Sequence, residues 1–309
     1  MISVQNLSKY FDQFKAVDDL TFDIGPGDIV GFLGPNGAGK STTMKMLTGF
    51  LAPSSGNIEI NGQNVAEHSK AIQQQIGYLP EGAPAYGDMT VYQFLHFIAD
   101  IRKLRGKEKQ ARVAAVTDRL ELHSVLNRPV ENLSKGFKRR VGLAQAIIHD
   151  PAILILDEPT DGLDPNQKHQ VRELIQGLSE DKTVIISTHI LEEVAAVCNR
   201  VMIIAKGALQ FDDTPGALQQ RSRFYQSVSL TLSYAADISG LAELDGVADM
   251  EVDRKTGRVT LFPESGQPIL PQVTEHIQLR RLPVEDLHVE QGRLDDVFRE
   301  ITTQQEVRG

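Results

Sequence analysis

Gly34-Pro-Asn-Gly-Ala-Gly-Lys-Ser41 decides the reading of this chain, because its fixed positions spell the phosphate-loop pattern G-x-x-x-x-G-K-[ST]. An apolar run, Ile29-Val-Gly-Phe-Leu33, precedes it, and the sequence after it predicts a helix over Thr42 to Phe50. A strand that turns through glycines into a helix can wrap a polyphosphate, with its backbone N–H groups aimed inward at the helix N-terminus. In this reading Gly34, Pro35, Asn36, Gly37, Ala38, Gly39, Lys40, Ser41 and Thr42 hold a nucleoside triphosphate. Lys40 reaches the β- and γ-phosphates, and the Ser41 hydroxyl ligates Mg²⁺. The loop alone names no function, since kinases, GTPases and transport motors share it.

Outward from the loop the chain reads as α/β. Ile2-Ser-Val-Gln-Asn-Leu7, Leu20-Thr-Phe-Asp-Ile24 and Ile29 to Leu33 predict strands, the last feeding the loop. Gly56 to Gly62 and Ile76 to Leu79 predict two more, and from Met89 to His149 the period becomes helical. Ile153 to Leu156 and Thr183 to Ser187 are uninterrupted apolar runs followed by helical sequence, the pattern of strands buried on both faces of a parallel sheet. A second unit begins after Gln219-Gln-Arg-Ser-Arg223. The expected domains are therefore residues 1–220, with a helical subdomain over about 85–150, and residues 221–309. In the second unit, strands at Val228 to Leu232, Val247 to Val252 and Arg258 to Phe262 alternate with helices over Ala236 to Leu244, Ile269 to Leu279 and Leu294 to Thr302. That order is compatible with a small ferredoxin-like α+β domain. It carries no metal or nucleophile motif.

The chain's 309 residues can bury an ordinary core, and its longest apolar runs fall far short of the roughly 20 residues that span a bilayer. No basic segment followed by an apolar one opens the chain, so no signal peptide is expected and the protein is placed in the cytoplasm. Cys198 follows Glu193-Val-Ala-Ala-Val197 and is expected at a buried helix position as a structural thiol. A net charge of −9 argues against binding nucleic acid through bulk electrostatics. Positive charge concentrates in Arg102-Lys-Leu-Arg-Gly-Lys-Glu-Lys109, with Arg112, Lys135, Lys138, Arg139 and Arg140, which reads first as a solvated helical face and second as a surface for anionic headgroups or a partner.

Asp157-Glu158 ends the buried run Ile153 to Leu156 with two adjacent carboxylates, whose side chains leave a strand in different directions. The first can bind Mg²⁺, directly or through water, and the second is free to polarise a water aimed at the γ-phosphorus. Phosphoryl transfer asks for this positioning and charge stabilisation. Earlier in the chain, Leu133-Ser-Lys-Gly-Phe137 precedes a helical run, Lys138 to Ile148, so that Ser134 and the N–H groups near Gly136 make an anion-binding end.

With these motifs in this order, followed by Leu163-Asp164 and by His189 after a strand, residues 1–218 resemble the ATP-binding cassette family. The resemblance implies a P-loop cassette with an antiparallel β subdomain, a parallel-sheet core and a helical subdomain. It implies ATP and Mg²⁺ as ligands, with Ser41, Glu81 and Asp157 at the metal and Glu158 as catalytic base. His189 would contact the γ-phosphate and the attacking water. Phe11, 29 residues before Lys40, falls where family members stack a ring on adenine, the alternative being a strand core residue. Family members sandwich two ATP molecules head to tail, so Ser134, Gly136 and Asp164 would act on the nucleotide held by a second copy.

Two positions depart from the family pattern. Glu81 stands where a glutamine is usual in the loop that touches Mg²⁺ and communicates with the membrane partner, and a carboxylate can keep that role as an oxygen ligand. The signature is also loose, with Lys135 and Phe137 in place of glycine and glutamine, although capping by Ser134 survives both changes. A single cassette resembles the separate ATPase subunit of a bacterial transporter, two copies serving one multi-span permease on the inner face of the membrane. The stretch Ile76 to Gly82 and the ending Arg293-Leu-Asp-Asp-Val-Phe-Arg-Glu-Ile-Thr302 resemble exporter ATPases of the drug, polysaccharide, lipid and gliding-motility group, in which residues near Glu81 to Thr90 line the cleft for the permease. The competing class, a soluble cassette acting on nucleic acid or the ribosome, normally carries two phosphate loops or long coiled coils, neither of which is visible. A nucleotide kinase would leave Ser134 and His189 unexplained.

Overall fold

Ile2 and Val4 alternate with more polar neighbours, as one buried face of a strand requires. They lie in β1 (Ile2–Phe11), which pairs antiparallel with β2 (Phe14–Ile24) after a tight turn. β3 (Ile29–Leu33) then leads through the phosphate loop into α1 (Lys40–Leu47). β4 (Ser55–Ile60) and β5 (Gln63–Asn64) complete a sheet of order β2-β1-β4-β5. The computed structural model describes residues 1–82, 86–178, 182–234, 236–253 and 255–303.

α2 (Val65–Gln75) starts at Asn64, whose side chain accepts from the N–H groups of Ala66 and Glu67, and delivers the chain to β6 (Ile76–Leu79). Helical periodicity then yields α3 (Val91–Ile101), α4 (Gly106–Arg119) and α5 (Lys135–Ile147). α3 opens on a capping box between Thr90 and Gln93, which satisfies two otherwise unpaired donors. β7 (Ile153–Asp157), α6 (Pro165–Leu178), β8 (Thr183–Thr188), α7 (Leu191–Val197), β9 (Arg200–Ala205) and β10 (Ala208–Asp213) follow. The second sheet has the order β10-β9-β3-β8-β7-β6, parallel throughout except for the β9–β10 hairpin. Val30, Phe32, Ile155, Ile185 and Met202 from this sheet share a core with Ile2, Leu20 and Phe22 from the first and with Met44 and Leu47 of α1. Each such burial stabilises the fold by about 1.5–3 kcal/mol.

This topology positions the site. β3 has β8 on one side and β9 on the other, so the loop after it opens at a switch point, where ligands of parallel sheets bind.

The contacts divide the chain into Met1–Asp213 and Thr214–Gly309, ahead of the boundary expected at 220/221. The reason is local: α8 (Pro215–Gln220), capped by Thr214, packs against the helix over Leu294–Thr303 of the later segment. In this unit β11 (Val228–Leu232), β12 (Val247–Asp253), β13 (Arg258–Pro263), α9 (Leu270–Arg280), β14 (Val284–Val289) and α10 (Leu294–Thr303) occur in turn. The sheet order is β12-β13-β11-β14, antiparallel at every step, which is a ferredoxin-like order. The helix expected over 236–244 is reduced to one 3₁₀ turn, Ser239–Leu241, followed by Asp245-Gly246, where Gly246 takes a φ of 85°.

Cys198 is buried as expected but stands just past α7 in extended backbone, and burial pushes its thiol up to about 12. The basic stretch is also corrected in part. Arg105 and Lys109 pair with Asp100, and Arg112 and Lys182 pair with Asp150, as a solvated face would. Arg139, however, is 6% exposed and points into the protein.

Candidate active site

The loop after β3 needs backbone that only glycine adopts easily. Gly37 and Gly39 have φ of 80° and 104°, and a Cβ on Gly39 would lie 2.4 Å from the Ala16 carbonyl oxygen of β2. Gly207 braces the loop from the β9–β10 turn: its N–H donates to the Ala38 carbonyl, and its own carbonyl accepts from the Asp18 N–H. Lys40 Nζ donates to the Gly34 and Pro35 carbonyls at 2.8 and 3.2 Å and lies 3.9 Å from Glu158 Oε1. Burial lowers the Lys40 pKa, while the charges of Glu158, Asp157 and Glu81 oppose that shift.

Strand register brings the remaining groups to the same place. Leu33, which ends β3, lies opposite Thr188 of β8, and Ser187 lies opposite Asp157 of β7. Asp157 is fully buried, and its Oδ1 accepts from Ser187 Oγ at 2.6 Å and from Ser41 Oγ at 3.3 Å. Its Oδ2 is buried and, among the described residues, has no hydrogen-bond partner. An unpaired carboxylate oxygen beside a serine hydroxyl at a phosphate loop suits Mg²⁺, which takes one or two protein oxygens and completes its shell with phosphate and water. Among the described residues no cluster of three His, Cys, Asp or Glu side chains exists to hold a metal without such help.

Glu158 turns out of β7 with φ of 48°, a costly conformation for a residue with a side chain, and its N–H donates to the Ser187 carbonyl at 2.9 Å. Both of its carboxylate oxygens lie 3.1 Å from His189 Nδ1. Burial raises the Glu158 pKa, against the opposing effects of His189 and Lys40. A carboxylate raised in this way is a better proton acceptor than an exposed one. The His189 side chain is 44% exposed, so the imidazole faces solvent while held from behind.

The other expected residues are placed as follows. Phe11 is 46% exposed at the β1–β2 turn, with Lys9 Nζ 5.3 Å from its ring centre, and is therefore not a core residue. Glu81 is exposed just after β6, and its charge is felt by Lys40, Tyr78 and Arg139. Ser134 caps α5 by accepting from the Phe137 N–H at 3.4 Å, and Asp164 caps α6 by accepting from the Gln167 N–H at 2.9 Å. Both are exposed, whereas Gly136 is buried against the Gln167 side chain. Ser134 and Asp164 thus stand at the starts of α5 and α6.

Two contributors escaped the sequence reading. Ser187 orients Asp157, and only the β7–β8 register reveals it. Arg139 donates to the Pro80 carbonyl at 3.4 Å, and the carboxylates of Asp161, Glu158, Glu81 and Asp157 all attract its charge, although burial lowers its pKa. Its place in a stretch with four basic residues among six, Lys135 to Arg140, masked it.

Comparison with known proteins points to one family. A family model described as ABC transporter matches residues 17–161. The bacitracin transport ATP-binding protein BcrA of Bacillus licheniformis is 36% identical over 269 residues, 86% of each chain. The ABC transporter ATP-binding protein YxlF of Bacillus subtilis (strain 168), itself uncharacterized, is 35% identical over 243 residues, 79% of this chain and 80% of its own. The dimeric structure of the bacterial ABC transporter cassette MJ0796 shares the fold, with a TM-score of 0.65 at 23% identity over 70% of this chain and 99% of its own. A chain with this loop, this carboxylate pair and these relatives belongs to the ABC transporter family, as one of its ATP-binding, ATP-hydrolysing proteins.

Proposed function

We propose that this chain is the ATPase subunit of an exporter, working as a head-to-tail pair beneath a separate membrane-spanning permease. The observation that carries the catalytic part is the buried, unpaired Oδ2 of Asp157 beside Ser41, with Glu158 turned away from it toward His189. Ser41 and Asp157 would hold Mg²⁺, with Glu81 as a further oxygen ligand. The metal, when bound, supplies positive charge to the phosphate oxygens. Lys40 gives charge to the β- and γ-phosphates, and Phe11 offers its exposed face to the adenine. Glu158 takes a proton from water as the water oxygen bonds to the γ-phosphorus and the bond to the β-phosphate bridging oxygen breaks. His189 holds that water and the γ-phosphate in line.

Ser134 and Asp164 are exposed at helix N-termini, which suits residues that close over the nucleotide of a second copy. The dimeric form of the MJ0796 cassette supports that reading.

For the permease, a cavity of about 750 Å³ walled by Phe50, Tyr78, Tyr86, Phe97 and Ile101 lies next to Glu81 and the end of β6. It offers an apolar seat to a short helix of the membrane partner. Residues 83–85 of the expected cleft lie outside the described residues. No helix among the described residues is long and apolar enough to cross a membrane, so attachment to the inner face would come through the permease. Similarity to the Nod factor export ATP-binding protein I of Burkholderia pseudomallei (strain 1710b), 37% identical over 218 residues, supports export as the direction.

Purification from detergent-solubilised membranes tests this reading. A multi-span protein should accompany the chain, and recovery of RNA or DNA in its place would move the assignment to a soluble cassette acting on nucleic acid.

A further inference from the structure

Glu158 and His189 stand on the ends of two different strands, and something must keep them in register. Behind them lies Glu193, on α7, only 6% exposed. Its Oε2 accepts from Thr160 Oγ1 at 2.5 Å, two residues beyond Glu158, and from Thr188 Oγ1 at 3.4 Å, the residue before His189. Thr188 Oγ1 also accepts from the Ile190 N–H at 3.1 Å, which closes the backbone around His189. Thr160 and Thr188 are 2% and 0% exposed, so bulk water does not compete for these bonds. The other oxygen of Glu193, Oε1, lies 3.3 Å from Lys168 Nζ. Lys168 sits in the first turn of α6, and its N–H donates to the Asp164 carbonyl at 2.9 Å.

We propose that Glu193 is a positioning residue for hydrolysis, which holds the Glu158 and His189 segments in one register and ties that register to α6 and Asp164. A single buried carboxylate thus joins the segment after β7, the segment after β8 and the first turn of α6. Its hydrogen bonds are charge-assisted and therefore stronger than hydroxyl-to-amide contacts. Movement at Asp164, such as closure against a second copy would impose, reaches the base and the imidazole through Lys168 and Glu193. The proposal rests on reading Glu158 as the base and His189 as its partner.

The test is a kinetic cycle on the full chain, with ATP affinity and single-turnover hydrolysis measured separately. Glu193→Ala should lower kcat by about 100-fold, the scale of a misplacement near 1 Å, while ATP affinity stays within about twofold. Thr160→Val should lower kcat less, and the double variant should be no worse than Glu193→Ala, because both changes remove the same link. Glu193→Gln keeps an oxygen for the two threonines but loses the charge facing Lys168, and should recover much of the rate. A role in stability alone would lower Tm and leave the kcat of the folded fraction native, with additive losses in the cycle; either result overturns the proposal. If Glu193→Ala fails to fold, Thr160→Val and Glu193→Gln carry the same test through their kcat and their combination. Glu158→Gln measured alongside separates the two readings. A native rate there overturns both, whereas an inactive Glu158→Gln with native kcat in the Glu193 and Thr160 variants overturns only this one.

Discussion

His189 Nδ1 lies 3.1 Å from each carboxylate oxygen of Glu158, so the two side chains form one unit across neighbouring strand ends. The carboxylate is placed by its left-handed backbone and the imidazole by the turn after β8. Of the two, Glu158 also lies 3.9 Å from Lys40 of the phosphate loop, so its substitution has to be judged by binding and hydrolysis separately.

Glu158→Gln keeps the shape and loses the base. ATP affinity should remain within a few fold, while hydrolysis falls by about 10²- to 10⁴-fold, the range for a general base. With ATP present the variant should persist as a dimer in size-exclusion chromatography. Hydrolysis at the native rate would remove Glu158 from the role.

The same variant should be more heat-stable than the native chain near neutral pH. Burial raises the folded pKa of Glu158, so the folded state binds its proton more tightly than the unfolded state. Stability attributable to this group therefore falls as pH rises from the unfolded carboxylate range through the raised folded value. The Tm advantage of Glu158→Gln should be largest above that window and vanish below the unfolded carboxylate range, toward about pH 3, where the native side chain is protonated in both states. Thermal melts at a series of pH values measure this, and an advantage that grows toward acid contradicts it.

Lys40→Ala should act on binding. It removes the cation offered to the β- and γ-phosphates, and one charged hydrogen bond is worth about 1.5–3 kcal/mol, so ATP affinity should fall by at least about tenfold. Equilibrium binding of a fluorescent ATP analogue gives the answer, and retained affinity would count against the phosphate-loop reading.

Gly39→Ala tests the backbone of that loop. The new Cβ would meet the Ala16 carbonyl at 2.4 Å from a φ of 104°. Destabilisation of about 1–3 kcal/mol is expected from the conformation alone. Denaturant unfolding should show it, together with weaker ATP binding, because β2 must move away from the loop.

Glu81→Ala should lower permease-coupled hydrolysis by about tenfold, whereas Glu81→Gln should retain most of it if an oxygen ligand is what the position requires. ATPase assays of the reconstituted transporter with titrated Mg²⁺ would detect the change. Unaltered rates and unaltered coupling would exclude Glu81 from the metal and from communication with the permease.

Much of this site was legible before any coordinates. Gly34 to Ser41 and Asp157-Glu158 are local in sequence, and each motif carries its own geometry as strand, turn and helix. Ser134 was readable for the same reason, since a cap is a local event. Ser187, Thr160 and Glu193 were not, because their roles exist only once β7, β8 and α7 are side by side. Arg139 was misjudged, since a charge in a basic run looks solvated until a carbonyl such as that of Pro80 is found to receive it. In the second unit β14 was missed because Val284-Glu-Asp-Leu-His-Val289 is largely polar, as befits the edge strand it forms. β9 and β10 were also left out of the reading, although Val201 to Ala205 is a continuous apolar run of the kind that marks a buried parallel strand.

The neighbouring pairings Leu33 with Thr188 and Ser187 with Asp157 give this site its ruler. The loop, the Asp157 carboxylate and the His189 imidazole issue from adjacent rungs of one ladder, and the peptide hydrogen bonds between strands set their separation. Apolar side chains in β3, β7 and β8 can therefore be exchanged for others of similar bulk with little effect on the chemistry. Inserting or deleting one residue in any of these three strands would turn Lys40, Asp157 or His189 to the wrong face of the sheet, and no substitution elsewhere could bring it back.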